Sequence, residues 1–465
     1  MSGFVALVLA AGKGTRMKSA LPKVLHPVCG LPMVHHVVAC AVAAGADATH
    51  VVIGHGADAV TEYLGATDFG APVDTVIQAE QLGTGHAVQV CRPALDGCAS
   101  PVLILSGDVP LVTPEMVAEL AATHAQGGGG LTLVAVTLDD PTGYGRVVRD
   151  GGALRRIVEQ KDATPSERAV REVNAGIYLA DAALLFRCLE RVSNDNAQGE
   201  YYLTDIVREA LAEGAAVHVH HAASAELVMG VNSRAQLAQV SAAMRRHIAA
   251  RLMDAGVTLI DPDHTYVDAG VSVGPDTVIH PGVTLSGRTT VGTGCEIFPG
   301  ARVVDSVIGD HVVVKDGTLI TQARLDGGNT AGPNAHLRPG AHLLPGARVG
   351  NYVEIKKAVI GEGSKVNHLS YVGDATVGAR VNIGAGTITC NYDGATKYQT
   401  IIEDDVFIGS DSQLVAPVRV GAGALVAAGS TITGDVPAGA LGISRAEQRN
   451  VEGWVARWKR KRGGK

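Results

Sequence analysis

Aliphatic residues recur every six positions through the C-terminal half of the chain, and that spacing excludes most architectures. Val273, Ile279, Leu285, Val291, Ile297 and Val303 are each six apart, and after one short step the count resumes at Ile308, Val314 and Ile320. Further runs are Leu337, Leu343, Val349, Ile355; Ile360, Val366, Val372; Val377, Ile383; and Ile408, Leu414, Val420, Val426, Ile432. A period of six matches neither a helix nor an isolated strand. It matches short strands that each turn one apolar side chain inward before the chain rounds a corner. Glycine follows the marker at Val273, Val291, Ile308, Val349, Ile360, Val372, Val377, Ile383, Ile408 and Val420. The pattern predicts a solenoid of hexapeptide repeats whose coils stack over one continuous core.

Bulk properties agree. At 465 residues, two or three domains are expected. A hydrophobic fraction of 46% with 18% charge is enough to fill globular cores. Fifty-eight glycines and 4% aromatics suit a narrow interior with corners that need positive φ. A net charge of −7 argues against nucleic acid as the main partner. The one basic stretch, Arg457 to Lys465, reads as a solvated, partly disordered end. Cysteines 29, 40, 91, 98, 188, 295 and 390 form no CxxC pair, so reduced thiols in a cytoplasmic protein are expected. The apolar run 4–11 is too short to span a membrane and flows into GKGTR, so it reads as a buried strand, and no membrane insertion is expected.

The first half alternates strand-like and helix-like segments. Strands are predicted at 4–11, 49–53, 75–79, 101–105 and 131–138, and helices at 31–44, 57–64 and 84–91. This order implies a mostly parallel, Rossmann-like sheet with ligands at the carboxyl ends of its strands. Asp108, in GDVP after the 101–105 strand, falls on that edge. A helix over 233–253 carries the chain onward. The predicted organisation is an α/β domain over 1–229, a linker helix over 230–255 and a left-handed parallel β-helix over 256–465.

The segment Leu9–Arg16 (LAAGKGTR) follows a strand directly, with Lys23 seven residues beyond. Glycines let backbone N–H groups approach an anion closely, and Arg16 and Lys23 add fixed positive charge for a polyphosphate. The loop is neither a Walker A sequence nor a GxGxxG fingerprint. It resembles the loop of sugar-phosphate nucleotidyltransferases. QAEQLGTGHA (78–87), GDVPL (107–111), PTGYGR (141–146), IVEQKDA (157–163), NAGIY (174–178), NAQGEYYLTD (196–205) and GVNSR (230–234) follow in order. Together with the solenoid, these motifs resemble the family of bifunctional N-acetylglucosamine-1-phosphate uridyltransferases/glucosamine-1-phosphate acetyltransferases over about residues 5–455.

The resemblance implies that the first domain joins UTP to N-acetylglucosamine 1-phosphate and releases pyrophosphate. Matching positions place the nucleotide against Ala10, Ala11, Gly12, Lys23, Gln78, Gly83 and Thr84, the sugar against Gly145, Glu159 and Asn174, and Mg²⁺ on Asp108 and Asn232. The sugar phosphate is already an anionic nucleophile, so the chemistry calls for positioning and charge stabilisation by Mg²⁺, Arg16, Lys23 and loop amides, with no general base. Ser106 stands where many members carry Tyr. Read singly, Asp108 could cap the next helix, Glu159 could be a surface carboxylate and Asn174 a turn residue.

For the second domain the resemblance implies transfer of acetyl from acetyl-CoA to glucosamine 1-phosphate in a homotrimer. His368 (SKVNHLSY) is the implied general base, a role suited to imidazole. Arg338 and Lys356 are implied to hold the sugar phosphate, and Tyr371 and Asn382 the sugar. The longest break in the rhythm, Thr389 to Phe407, contains CNYDGATKYQ, and interrupted coils are where solenoids place function. Asn391, Tyr392 and Lys397 lie on it, match family active-site positions and are implied to contact acetyl-CoA. Ser410, Ala428 and Arg445, with Ala385 in the same pocket, match positions that contact acetyl-CoA. His336 and His342, six apart, raise the alternative of a zinc site between coils. Two other functions stay open: a single-function nucleotidyltransferase with a structural β-helix, and a scaffold that has lost catalysis. The product of the leading reading, UDP-N-acetylglucosamine, serves cell-wall precursor supply.

Overall fold

The computed structural model describes residues 3–463. The chain divides into two compact units at His247/Ile248, inside a helix that runs Arg234–Asp254.

The first unit is built on a twisted sheet in the order Val217–His221, Leu131–Thr137, Glu172–Ala180, Val102–Ser106, Phe4–Leu9, Ala46–Ile53, Val73–Ile77. Pairing is parallel except at Glu172–Ala180, which runs antiparallel to both neighbours. The hairpin Arg146–Asp150/Ala153–Val158 joins that strand through Val173. Phe4–Leu9 lies centrally with helices on both faces, so Ala6, Leu7 and Val8 are fully buried and its sequence is apolar without alternation. The predicted strands and helices all appear, with ends shifted by one to three residues. The first helix begins at Met33, two residues later than predicted, because Leu31–Pro32 pairs with Pro27–Val28.

The second unit is a β-helix whose strands fall into parallel ladders. Along one ladder Ile279, Ile297, Val314, Ala331, Val349, Val366 and Ile383 stand on one another, 17 or 18 residues apart. The next step, Ile383 to Ile408, is 25, because the coil carries the 389–407 loop. Of the sequence markers only Val273 is not buried.

The glycines after the markers serve a different purpose from the one expected. None of them has positive φ. A Cβ at Gly350 would lie 1.9 Å from the Asn367 carbonyl oxygen, and one at Gly409 2.4 Å from the Ala428 nitrogen. They allow coils to approach closely. Positive φ at the corners falls on other glycines and on non-glycine residues, among them Tyr352, Lys357, Leu369 and Asp374. The tail also differs from expectation: Trp454–Lys461 is helical, though exposed, with Trp454 stacked on Trp458 at 6.0 Å and Arg462 over Trp458. This i,i+4 aromatic pair supplies local cohesion that the charge run concealed.

Two candidate active sites

In the first unit the site grows from the carboxyl ends of three parallel strands. Ala10 N–H donates to the Val52 carbonyl at 2.8 Å and Gly107 N–H to that of Leu9 at 2.9 Å, which draws the loops after the 4–9 and 102–106 strands together. Gly14 has φ +58°, and a Cβ there would lie 2.6 Å from the Lys23 Cβ, so the loop folds back onto Lys23 only because residue 14 is glycine. The result is a cleft of about 500 Å³ lined by Ala10, Ala11, Gly12, Lys23, Gln78, Gly83, Thr84 and Asp108. Ser106, noted from sequence, also lines it, as do Lys13, Thr15, Gln81 and Glu200, which were not singled out. Arg16 is exposed and lies outside this lining.

Lys23 Nζ donates to Asp108 Oδ2 at 2.5 Å and to Asn232 Oδ1 at 3.3 Å. Two oxygen donors far apart in sequence thus converge on one cation. Asp108 is not the cap of the next helix; Thr113 is, accepting from Met116 N–H at 3.3 Å. One carboxylate and one amide oxygen suit Mg²⁺, a hard ion that keeps water and substrate oxygens in its shell. Among the described residues no group of three or more His, Cys, Asp or Glu is placed to hold a metal ion.

Gly145, Glu159 and Asn174 form a second group. Asn174 N–H donates to the Gly145 carbonyl at 2.9 Å, and a Cβ at Gly145 would lie 3.4 Å from Glu159 Oε1. Asn174 is buried in its strand and donates to Tyr178 Oη at 2.7 Å, so it is no turn residue. Glu159 is half-buried and lines a cavity of about 160 Å³ separate from the cleft. Burial raises its carboxyl above the usual range, the Thr204 hydroxyl at 3.2 Å opposes this, and Asp162 and Asp205 reinforce it.

In the second unit His368 is exposed beside a corner, and its Nδ1 lies 2.9 Å from Asn351 Oδ1 on the coil below. The ladder register makes Ala385, Ser410 and Ala428 the equivalents of His368 on successive coils above. Asp411 N–H donates to the Ala385 carbonyl at 2.7 Å, Gly429 N–H to that of Ser410 at 2.8 Å, and Arg445 Nη1 to that of Ala428 at 2.7 Å. One column therefore unites the predicted base with Ala385, Ser410 and Ala428, and Arg445 joins it through the Ala428 carbonyl; the other predicted acyl-donor contacts, Asn391, Tyr392 and Lys397, lie on the 389–407 loop.

A neighbouring ladder stacks Arg338 on Lys356, through Arg338 N–H to Ile355 carbonyl at 2.8 Å. Arg338 Nη1 donates to Glu354 Oε1 at 2.5 Å. Lys356 pairs with Gly373, where a Cβ would meet the Tyr371 hydroxyl at 2.3 Å. Glycine there makes room for the Tyr371 side chain. Asn391 donates to Asp374 and, at 3.5 Å, to Tyr371 Oη. Tyr392 is exposed on the loop, and Lys397 lines a cavity of about 220 Å³ with Lys357, Asp374, Tyr398 and Gln399. Asn382 stands apart from the His368 column, between Lys365 and Phe407 on its ladder. Asn351, Glu354 and Asp374 are partners the sequence reading missed. The 17-residue coil would have found the first, since 351 lies one coil below 368.

The MobA-like NTP transferase domain family matches residues 6–250, and the bacterial transferase hexapeptide family (six repeats) matches 399–434. The bifunctional protein GlmU of Pelobacter propionicus is 51% identical over 99% of this chain and 100% of its own. That of Trichlorobacter lovleyi is 52% identical over 97% of each, and that of Exiguobacterium sp. is 49% identical over 97% and 99%. This chain belongs to the bifunctional GlmU family. The first domain match ends three residues past the division at His247/Ile248 and the second lies wholly in the second unit, while the GlmU relatives align over 97–99% of the chain.

Proposed function

We propose that the chain makes UDP-N-acetylglucosamine in two steps, one per unit. In the second unit acetyl passes from acetyl-CoA to glucosamine 1-phosphate. The observation that carries this reading is the His368 column: a β-helix that served only assembly would have no use for a base aligned with Ala385, Ser410, Ala428 and Arg445. With Asn351 Oδ1 accepting from Nδ1–H, His368 Nε2 is free to take a proton from the substrate amine. The amine nitrogen then attacks the thioester carbonyl, and coenzyme A leaves as its thiol after taking up a proton. Arg338 and Lys356, stacked on adjacent coils, supply two cations for the sugar phosphate, and Tyr371 and Asn382 hold the sugar. Asn391, Tyr392 and Lys397 complete the pocket from the loop.

In the first unit a phosphate oxygen of N-acetylglucosamine 1-phosphate attacks the α-phosphorus of UTP and pyrophosphate leaves. Ala10, Ala11 and Gly12 present backbone to the nucleotide, with Gln78, Gly83 and Thr84 on the base side. Gly145, Glu159 and Asn174 orient the sugar, and Arg16 and Lys23 neutralise the polyphosphate. Asp108 and Asn232 would hold Mg²⁺, which when bound draws charge from the phosphate oxygens. The protein works as a homotrimer in the cytoplasm; the outward column Phe407, Leu425, Leu441 supports the first point, and seven cysteines that form no disulfide among the described residues support the second. No helix among the described residues is long and apolar enough to cross a membrane.

The test measures coenzyme A release and pyrophosphate release separately. His368→Ala should abolish the first and spare the second, and Asp108→Asn should do the reverse. Joint loss, or no loss, in either variant refutes the two-site assignment.

A further inference from the structure

An enzyme that uses UTP must reject CTP, and the two bases differ on one edge. Uracil carries a donor N3–H, whereas cytosine presents a bare N3 acceptor. Gln78 sits on the cleft wall and is 2% exposed. Its Nε2 donates to the Gly83 carbonyl at 3.1 Å and lies 3.1 Å from His86 Nδ1. A carbonyl oxygen only accepts, so the Gly83 contact fixes which end of the carboxamide is nitrogen. The second amide hydrogen then points at His86, whose Nδ1 must accept while Nε2 carries the ring proton. Gln78 Oε1 is left with no partner among the described residues, yet it is not one of the sealed, unpartnered polar atoms. It is the acceptor the cleft offers.

The lock is rigid at both ends. Gly83 and His86 belong to the same tight entry into the Thr84–Gln89 helix, and Tyr201 N–H and Leu203 N–H tie that entry down through the Leu82 carbonyl at 2.8 Å and Thr84 Oγ1 at 3.1 Å. Gln78 itself is pinned by its backbone N–H on the Ile53 carbonyl at 2.8 Å and by Gln81 Nε2 on its own carbonyl at 3.0 Å.

We propose that His86 is a positioning residue that holds the Gln78 carboxamide with its oxygen toward the cleft and so selects a pyrimidine bearing N3–H over cytosine. The inference rests on the uridylyl-transfer reading and deepens it. If the amide turned over, its NH₂ would match cytosine N3 and repel uracil N3–H; Gly83 and His86 together oppose that turn. A site built to bond a donor rejects the analogue lacking it far better than an apolar wall does.

The experiment compares kcat/KM for UTP and CTP, with N-acetylglucosamine 1-phosphate and Mg²⁺, in the full chain and in His86→Leu and His86→Asn. Leucine removes the acceptor at similar size, and asparagine restores one near the Nδ1 position. The UTP/CTP ratio should fall at least about 5-fold in His86→Leu, the cost of leaving one buried amide hydrogen unsatisfied, and stay within about threefold of the parent in His86→Asn. The KM for the sugar phosphate and coenzyme A release should not move in either. A His86→Leu ratio equal to the parent's, in a chain active with UTP, overturns this inference alone. A parent chain that turns over neither nucleotide overturns the uridylyl reading and the inference with it.

Discussion

Asn351→Ala isolates the contribution of orientation to the acetyl step. Asn351 Oδ1 and His368 Nδ1 are 2.9 Å apart on adjacent coils, and the residues share a ladder position, so alanine deletes the bond without disturbing the backbone pairing. A bond of this kind to a neutral ring is worth about 0.5–1.5 kcal/mol. As Nε2 gains the substrate proton the ring becomes cationic, and the same bond strengthens to about 1.5–3 kcal/mol. Only the difference lowers the barrier, because catalysis depends on what is stronger in the transition state. That difference is about 1–1.5 kcal/mol, or about 5- to 12-fold in kcat. Losing the base itself should cost about 10²–10⁴-fold. Asn351→Ala should therefore fall well short of His368→Ala.

The assay is the initial rate of coenzyme A release at saturating acetyl-CoA and glucosamine 1-phosphate, with pyrophosphate release from the same preparation as control. A kcat within about twofold of the parent would show that the bond does not hold the base in its working tautomer. An equal fall in pyrophosphate release would point to general damage and refute the reasoning equally.

Gly14→Ala forces a Cβ to within 2.6 Å of the Lys23 Cβ at φ +58°, where a side chain alone costs about 1 kcal/mol; pyrophosphate release should fall at least about tenfold, with coenzyme A release unchanged. Glu167 accepts from Thr164 N–H at 2.9 Å and pairs with Arg156 at 2.7 Å, contacts that hold its carboxyl down at about 2. Its folded-state value is depressed, so its stabilisation is present above the ordinary carboxylate range and lost as pH falls through about 2. Glu167→Gln should lower the melting temperature at neutral pH, and the gap to the parent should close as the pH drops from about 4 toward 2. Arg445→Ala removes the guanidinium held on the Ala428 carbonyl at 2.7 Å and should raise the KM for acetyl-CoA with little change in that for glucosamine 1-phosphate.

The solenoid was legible because one physical requirement repeats. Each side of the prism turns one residue inward, so a single spacing identifies the core, and from Ile279 onward the marked positions are buried. The same regularity misled the interpretation of the glycines that follow the markers. Their need is for the absence of a Cβ against the next coil, a contact between residues 17 or more apart, and composition cannot separate that from a need for positive φ. In the first unit the phosphate-facing loop was legible for a comparable reason: the strand, the glycines and the cations are contiguous. The group of Gly145, Glu159 and Asn174 was legible only through the family resemblance, because the three meet only through a hairpin laid antiparallel on the one reversed strand. A mostly parallel reading has no place for that strand.

The partners that tune each site were least legible, and for a consistent cause. Asn351 beneath His368, Glu354 beside Arg338 and Asp374 beside Asn391 each act across one coil. Their residue types are common on any solvated surface, so type alone says nothing. In a solenoid, however, sequence distance converts to spatial contact through the coil length. Once the 17- or 18-residue coil is established, the residue one coil before or after any candidate becomes its neighbour by construction. Asn351 follows from His368 by that rule, as Ala385 does in the other direction. The conversion fails only where a coil is lengthened, between Ile383 and Ile408, and that is where Asn391, Tyr392 and Lys397 are found. The interruption that breaks the rule frees a loop from the ladder, as the proposed acetyl site requires of a segment that must reach a substrate on the regular face.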